Sequence, residues 1–464
     1  MANSSKNNLL GESSSLWRLA LPLVGAQLAQ MGMGVVDAVM AGNYGAADLA
    51  GVALGGSLFW PIMMLMMGLL QALTPTISQL NGAGRLSGVG EVVRQGIWLA
   101  LFGGLTASFL LNNVSVVYEW MSVDPEPAAI SIPYLRMCSY GIPALMVFFS
   151  LRFLADGTGY TRPALYISVT ALLLKIPLNY VLIYGKFGLP ELGGVGCGIA
   201  QAIIMWWQLA CITFVVTRAR FKPTHWMTRI SPPRWRLIKP LLVLGIPIGA
   251  TIFAELGLFS MTTLLLGRFG SEVVSSHNIA MNLNGVLFMP ALALGMASTI
   301  RIGFRVGANE ILQARSTALV AMISTLIVAF LGAILIFFLR EELASLYTND
   351  PQVQELSTTL LLFVVFYLMF DASQATAGGA LRGYKDTRVP MYIALFSYWG
   401  IGLPLECILG FGWIGPPMGL YGFWIGLSVA VGTAAILMST RLLQTSKNLT
   451  RIQTLSADAR GAPA

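Results

Sequence analysis

Charged side chains are scarce in this chain. Asp, Glu, Lys and Arg together make up 10% of its 464 residues, whereas hydrophobic residues make up 56%. A soluble globular domain is about 25% charged. Because no stretch is polar enough to form a separate soluble domain, the composition indicates a polytopic membrane protein.

Cysteine and histidine are also few, at four and two residues. The cysteines are scattered through apolar segments without metal-ligand spacing or a loop pair that suggests a disulfide, so we interpret them as small buried residues. The sequence has no G-x-x-x-x-G-K-[ST] loop to hold ATP phosphates. We therefore expect no bound cofactor, and any pump in this chain must be driven by an ion gradient.

Apolar segments of membrane-spanning length dominate the chain. A transmembrane helix needs about 20 residues, and segments this long must be helical because lipid satisfies no backbone groups. The N-terminal stretch MANSSKNNLLGESSS is polar and lacks the pattern of a removable signal peptide. The sequence predicts an all-α membrane protein with twelve transmembrane helices. They are expected at about 15–42, 52–80, 92–116, 130–151, 163–184, 194–217, 240–267, 277–303, 314–338, 355–378, 389–412 and 418–441.

Basic residues mark alternate loops. With the N-terminus placed in the cytoplasm, 23 of the 28 Lys and Arg residues fall in cytoplasmic tails and loops, and four fall in or beside outer loops. The positive-inside rule therefore predicts that both termini are cytoplasmic. Because the charges alternate along the chain rather than gather on one folded face, we expect no binding to nucleic acid.

A weak internal repeat runs through the chain. At a shift of 225 residues, Pro22 aligns with Pro247 and Gly42 aligns with Gly267. Each copy holds six spans, so both copies insert with the same orientation, and we expect a cavity between two pseudo-symmetric lobes. The predicted organisation is an N-lobe over 1–217, a basic cytoplasmic linker over 218–239, a C-lobe over 240–441 and a cytoplasmic tail over 442–464.

Five charged residues lie within the predicted spans. An ionisable group in hydrocarbon is costly, so each is a candidate functional residue. The rise of a helix places one acid near the midplane, two deeper toward the outside, and one at the outer border, where we expect it to reach water. Asp371 is the acid near the midplane, Glu255 and Asp37 are the two deeper acids, and Glu406 is the acid at the outer border. The fifth charged residue is Lys175.

Three of these charged residues, Asp371, Lys175 and Asp37, suggest specific chemistry. Tyr367 and Asp371 are four residues apart and share a helix face. A phenol and two carboxylates suit a hard monovalent cation or a shared proton, although a structural hydrogen bond from Asp371 to a neighbouring helix is the alternative. For Lys175 we hypothesise an ion pair that holds Asp37 ionised; the alternative is that its ammonium snorkels to the outer face.

The sequence resembles the MATE (multidrug and toxic compound extrusion) transporters, and most closely their NorM-type bacterial branch. The resemblance covers nearly the full length. It rests on MGMGVVDAVMAG at 31–42, QLNGAGR at 79–85, KIPLNYVLIYGKFGLPELGGVGCGIA at 175–200 and ALRGYKDTRVP at 380–390.

This resemblance implies a fold and a function. The fold is two six-helix lobes in a V around a central cavity. The function is export of cationic, amphipathic drugs and dyes by alternating access, in antiport against H⁺ or Na⁺, and no enzymatic activity. The setting is the bacterial inner membrane, and we expect a functional monomer whose partners are these drugs and the lipid bilayer.

The resemblance also assigns roles to individual residues. Asp37 matches the acid of the first helix, linked to protonation and to bending of that helix at Pro22. Asn179 matches a polar position on the fifth helix. Lys175, on the same helix, departs from the family pattern. Glu255, Tyr367 and Asp371 match the cation-binding groups in the C-lobe of the family, and this match implies a Na⁺ site here.

Two other classes of protein remain as alternatives. A flippase for a lipid-linked glycan has similar spans but should carry a cationic cavity for phosphates rather than an acidic one. A membrane prenyl- or acyl-transferase would need a cluster such as D-D-x-x-D or a His-Asp pair near one border, and the sequence contains neither.

Overall fold

The computed structural model describes residues 2–120, 124–229 and 231–455, with side chains from residue 11 onward. Every regular element in this part of the chain is a helix, which confirms the all-α prediction. Within the described residues, eleven helices are long and apolar enough to cross a membrane, and the count rises to twelve if one bent pair is a single span.

The chain folds into two compact units whose boundaries lie inside helices. The N-terminal unit is Gly25–Gly249, and among the described residues the C-terminal unit combines 2–24 with 250–455. Gly25 and Ala250 are separated by 225 residues, which is the shift of the sequence repeat. These boundaries differ from the predicted ones at both places, because the first and seventh spans each contribute to both units.

The N-terminal unit contains the end of the first helix and the eight helices that follow it. A 3₁₀ turn at Lys186–Gly188 and another at Ala219–Thr224 complete it. The helices are α1 (Ala2–Tyr44), α2 (Ala46–Leu70), α3 (Leu73–Gly82), α4 (Leu86–Asn112), α5 (Val114–Trp120), α6 (Pro125–Ser139), α7 (Ile142–Gly157), α8 (Arg162–Ile183) and α9 (Gly194–Val216).

The C-terminal unit begins within the next long helix and ends near the C-terminus. It includes a 3₁₀ turn at Gly267–Phe269 and a π-helix at Phe396–Gly402. The helices are α10 (Trp235–Leu266), α11 (Ser271–Gly307), α12 (Ile311–Ser345), α13 (Pro351–Gly383), α14 (Arg388–Leu395), α15 (Leu403–Phe411), α16 (Gly419–Lys447) and α17 (Leu449–Leu455).

The fourth predicted span, 130–151, is not one straight helix. It is a pair, α6 and α7, bent by 49° at the break between Ser139 and Ile142. Gly141 precedes α7 and Pro143 lies in its first turn. Proline lacks a backbone N–H and is best tolerated in the first turn of a helix, so this pair of residues favours the end of one helix and the start of the next.

The π-helix interrupts the eleventh predicted span, 389–412. Pro404 follows it in the first turn of α15 and supplies no N–H to the preceding turn. The widened turn is anchored by Trp399, whose indole Nε1 donates to the carbonyl of Ala254 at 3.1 Å. Single π-turns inside α-helices occur frequently at functional sites.

The polar N-terminal stretch is helical rather than a separate tail. The helix α1 begins at Ala2, well before the predicted start of the first span. Glu12 is buried in the C-terminal unit, where its carboxylate accepts from Arg301 Nε at 2.8 Å, Arg305 Nη2 at 2.9 Å and Thr317 Oγ1 at 2.6 Å. These ion pairs and hydrogen bonds anchor the N-terminal part of α1 to α11 and α12.

The predicted linker, 218–239, is docked on the N-terminal unit. Arg94 of α4 donates from Nη1 to the carbonyl of His225 at 2.8 Å and from Nε to Ser231 Oγ at 2.9 Å. Glu91 accepts from Arg94 Nη2 at 2.6 Å and from Ser231 Oγ at 2.8 Å. The linker is therefore held by buried polar contacts along one helix.

Candidate functional site

The N-terminal unit buries an ion pair around the aspartate of α1. Asp37 is 8% exposed, and Lys175 of α8 is fully buried. Lys175 Nζ lies 2.7 Å from Asp37 Oδ2. The second carboxylate oxygen, Oδ1, accepts from Asn179 Nδ2 at 2.8 Å. Both oxygens of Asp37 are therefore occupied by donors from one helix.

The spacing of α8 explains how two donors reach one acid. Lys175 and Asn179 are four residues apart, so both side chains project from one helix face. Lys175 also donates to the side-chain amide oxygen of Gln201 on α9. A buried ammonium is tolerated when it is paired and hydrogen-bonded, and here a carboxylate and an amide oxygen meet that need.

The predicted ion pair between Lys175 and Asp37 is present. The alternative, in which the lysine snorkels to the outer face, is wrong for this structure because no part of that side chain is exposed. Sequence reasoning missed Gln201; a polar residue inside an apolar span is the signal that identifies it.

The C-terminal unit buries a second acid, which carries no such counter-ion. Asp371 of α13 is 3% exposed, and Tyr367 is fully buried one turn away. Asp371 Oδ2 accepts from Asn284 Nδ2 of α11 at 3.2 Å. Asp371 Oδ1, the Tyr367 hydroxyl and Asn284 Oδ1 have no hydrogen-bond partner within the described structure. Asn284 was not identified from the sequence, although it too is polar within an apolar span.

Glu255 of α10 joins this second cluster. It interacts electrostatically with Asp371 and contacts the side chain of Gln374. The hydroxyl of Tyr398, from the π-helix, donates to Gln374 Oε1 at 2.5 Å. The structure thus brings together the three C-lobe residues of the prediction, and it adds Gln374 and Tyr398 as polar neighbours that the sequence did not single out.

The two clusters differ in one physical respect. Asp37 has a tethered cation at contact distance, whereas no Lys, Arg or His among the described residues forms an ion pair with Asp371. The described residues also contain no group of three or more His, Cys, Asp or Glu side chains that could hold a metal ion. The unpartnered oxygens of the second cluster are of the kind that coordinates a hard cation, and an exchanging cation would be cargo rather than a fixed metal.

The expectation that Glu406 reaches water is wrong, because its side chain is fully buried. The reason is close packing with α16, where a Cβ added to Gly426 would lie 2.7 Å from Glu406 Cγ. A neighbouring helix that approaches this closely leaves no room for water beside the carboxyl group.

Pro22 lies within α1, which is assigned as helical from Ala2 to Tyr44. It stands three residues before the unit boundary at Gly25, and Pro247 stands three residues before the boundary at Ala250. Proline in a helix interior removes a hydrogen bond and permits a kink. Both helices that contribute to two units therefore carry a helix breaker beside the boundary, and a role of Pro22 in bending stays a prediction.

Comparisons with known proteins place the chain in a family. The MatE family model matches it twice, over residues 22–181 and 247–408. Multidrug resistance protein MdtK of Yersinia pseudotuberculosis is 41% identical over 434 residues, 93% of this chain and 95% of the relative. Multidrug resistance protein PmpM of Pseudomonas aeruginosa is 42% identical over 443 residues, 95% of this chain and 93% of the relative.

A solved structure agrees on the fold. The crystal structure of the eukaryotic MATE transporter AtDTX14 superposes with a TM-score of 0.88 at 22% identity and covers 98% of this chain and 99% of that one. The two matches of the family model begin 225 residues apart, as the internal repeat does. The chain is therefore a member of the MatE family of membrane transporters.

Proposed function

We propose that this protein exports cationic, lipophilic drugs and dyes from the bacterial cytoplasm across the inner membrane, in antiport against H⁺ or Na⁺. Relatives at 41% and 42% identity are named multidrug resistance proteins. The observation that carries the proposal is the buried Asp371 cluster, in which a carboxylate lies in the membrane region without a cation of its own.

The charge of Asp371 favours exchange of one cation for another. A carboxylate at membrane depth is costly unless it is paired or protonated. A sodium ion, a proton or the positive charge of a drug can each neutralise it, and the three compete for the same oxygens. Binding of the coupling ion therefore favours release of the drug, and loss of the ion favours binding of the next drug.

A sodium site fits the groups around Asp371. Glu255, Tyr367 and Asp371 supply carboxylate and phenol oxygens, and several of the oxygens in the cluster lack a hydrogen-bond partner in the described region. The same carboxyl groups also bind protons, so their chemistry is compatible with either ion. The gradient that drives transport must therefore be found by experiment.

Asp37 has a different part in this scheme. Its charge is already balanced by Lys175, so a drug or coupling cation must compete with an ammonium that cannot diffuse away. Protonation of Asp37 would remove the charge that attracts Lys175 and weaken the hydrogen bond that Oδ1 accepts from Asn179. We propose that Asp37 acts as a proton site whose change of charge is coupled to bending of α1 at Pro22.

The proposal includes alternating access, in which the drug site opens to one side of the membrane at a time. Both termini are cytoplasmic in this scheme, as the excess of Lys and Arg in alternate loops predicts. Each unit supplies its own buried acid within one chain, which supports a functional monomer.

Efflux from proteoliposomes tests the proposal. A fluorescent cationic dye is loaded, and a pH gradient and a sodium gradient are applied one at a time to the parent and to Asp37→Asn, Glu255→Gln and Asp371→Asn. If dye efflux from the parent depends on the pH gradient and this dependence is lost in Asp37→Asn or Asp371→Asn, the proton is assigned to these acids. Dependence on sodium that is lost in Glu255→Gln and Asp371→Asn assigns a Na⁺ site.

Failure of every gradient to move dye in the parent would contradict drug antiport. The flippase alternative would then be tested with a fluorescent lipid-linked glycan in the same vesicles. Counterflow of unmodified dye also separates a transporter from an enzyme, since it requires no chemical change in the substrate.

A further inference from the structure

Glu406 is a buried acid that the scheme above does not use. Its side chain is fully buried on α15, and no Lys, Arg or His in the described parts of the chain lies within ion-pair distance of it. Glu406 Oε1 has no hydrogen-bond partner there. An isolated carboxylate in this setting is unstable, so the group must hold a proton or a cation.

The one hydrogen-bonded oxygen of Glu406 lies beside a threonine hydroxyl, which can donate to a carboxylate or accept from a carboxylic acid. Thr262 Oγ1 is 2.7 Å from Glu406 Oε2 and 2.9 Å from the carbonyl oxygen of Leu258. A hydroxyl has a single proton, so it can make only one full-strength donor bond to these two oxygens. If Glu406 Oε2 carries a proton, it donates to Thr262, and Thr262 donates to Leu258; both contacts are then satisfied.

The groups around Glu406 connect it to the Asp371 cluster. The phenol of Tyr367 on α13 interacts electrostatically with Asp371, Glu255 and Glu406. Its hydroxyl is buried and has no hydrogen-bond partner among the described residues. Tyr367 therefore stands among three acids, two of which belong to the predicted ion site and one of which does not.

The other neighbours of Glu406 offer no charge to balance it. The helix α16 presents Gly426, whose close approach fixes the acid in place. Cys407, the next residue of α15, interacts with Glu406 and with Arg268 at the loop. On the α10 side the nearest polar partner is the neutral Thr262, and on α11 His277 hydrogen-bonds to Thr263 at 3.1 Å. Only a bound proton or an exchanging cation can neutralise Glu406.

We propose that Glu406 is a third exchangeable carboxyl group of the C-terminal unit, and that it releases a proton from Oε2 when a cationic substrate binds near Tyr367. This inference rests on the proposed antiport. The proton passes to solvent, and the positive charge of the substrate balances the carboxylate that remains. Glu406 thereby contributes one proton to the coupling in addition to the ion exchanged at Asp371.

Calorimetry on the purified full-length protein tests this role. The probe is tetraphenylphosphonium, a lipophilic monovalent cation. Titrations in two buffers with different ionisation enthalpies give the number of protons released for each cation bound. The parent is compared with Glu406→Gln, and Thr262→Val is the matched control, because it removes the hydroxyl partner but keeps the carboxyl group.

We expect Glu406→Gln to release fewer protons than the parent, by up to one for each probe bound. Its affinity should then depend on pH less steeply, by up to about tenfold per pH unit. Thr262→Val should retain the proton release of the parent. Equal proton release in the parent and in Glu406→Gln would overturn the inference.

Folding of Glu406→Gln is itself a test. Glutamine has the shape of a protonated glutamic acid and can donate to Thr262 in the same way, so the variant should unfold at the temperature of the parent. Loss of folding would mean that the ionised form is required, and this also overturns the inference. Absence of probe binding in the parent would instead count against the proposed function, and the two failures are therefore distinguishable.

Discussion

Lys175 Nζ and Asp37 Oδ2 lie 2.7 Å apart inside the N-terminal unit, so the acid of α1 carries its own counter-ion. A buried acid of the C-terminal unit, Asp371, is hydrogen-bonded to Asn284 at 3.2 Å instead. One chain thus contains two buried acids with opposite electrostatic settings. We infer that the two acids respond differently to protons, sodium and substrate.

Removal of the tethered ammonium should change the pH dependence of transport. In Lys175→Gln, Asp37 loses the ammonium that lies 2.7 Å from its carboxylate, so we expect the pH profile of dye efflux to differ from that of the parent. Breaking a buried ion pair at one partner costs about 3–5 kcal/mol unless the remaining group is neutralised. The measurement is dye efflux from proteoliposomes across a range of pH.

The control for this prediction is Lys186→Gln, which removes one positive charge at an exposed position. It should leave the pH profile unchanged. A double-mutant cycle with Asp37→Asn isolates the pair, since the effect of Lys175→Gln should largely disappear when Asp37 is already neutral. An unchanged profile in Lys175→Gln would show that the ion pair does not control Asp37 during transport.

Tyr367→Phe should separate ion binding from stability. The Tyr367 hydroxyl has no hydrogen-bond partner in the part of the chain that the structure describes, so its removal should change the free energy of unfolding by less than about 1 kcal/mol. If the hydroxyl coordinates the coupling ion, the concentration of sodium or protons needed for half-maximal efflux should rise several-fold.

Tyr398→Phe is the matched comparison for Tyr367→Phe. Its hydroxyl donates to Gln374 Oε1 at 2.5 Å, and removing it leaves a buried acceptor unsatisfied, which costs about 1–3 kcal/mol. We therefore expect a lower melting temperature for Tyr398→Phe and a normal one for Tyr367→Phe. The opposite order would contradict the hydrogen-bond arrangement described above.

Glu12→Gln should loosen the first turns of α1. The carboxylate of Glu12 pairs with Arg301 and Arg305, and the substitution replaces this shared anion with a neutral amide that has only one acceptor oxygen. A charged hydrogen bond contributes about 1.5–3 kcal/mol, so we expect a clear fall in the melting temperature of the purified protein. Glu310→Gln, which removes a more exposed partner of Arg305, should have a smaller effect. Equal effects would show that burial of Glu12 does not matter.

Gly379→Ala should disrupt the packing of α13 on α11. A Cβ at Gly379 would lie 2.2 Å from the carbonyl oxygen of Gly295, and a backbone atom cannot move aside as a flexible side chain can. We expect a loss of about 3 kcal/mol or more, seen as a poor yield of folded protein. Gly378→Ala meets only Met438 Sδ at 3.8 Å. It should be neutral or slightly stabilising, because alanine favours helix over glycine by about 1 kcal/mol.

The sequence predicted the features that depend on short stretches of chain. Span length follows from the thickness of the bilayer, and the shared face of Tyr367 and Asp371 follows from the helical period. The pairing of Lys175 with Asp37 could also be hypothesised, because an ammonium in hydrocarbon needs an acid and few are available. These inferences need composition and periodicity but no knowledge of which helices are neighbours.

Features that depend on helix packing could not be predicted. Glu406 is buried because Gly426, twenty positions later, lets α16 approach it closely. Glu12 was not identified from the sequence, because its partners, Arg301 and Arg305, lie almost 300 residues away in the chain. The positive charges of these arginines were counted as a topology signal, but that signal does not reveal an ion pair.

Competition between substrate and coupling ion at Asp371 is the central claim, and equilibrium binding tests it most directly. The affinity of the purified protein for tetraphenylphosphonium is measured as protons and sodium are varied separately, in the parent and in Asp371→Asn. We predict that one of the two ions weakens binding in the parent and that this effect is largely lost in Asp371→Asn. Affinity that is the same in the parent at every pH and sodium concentration would contradict the account.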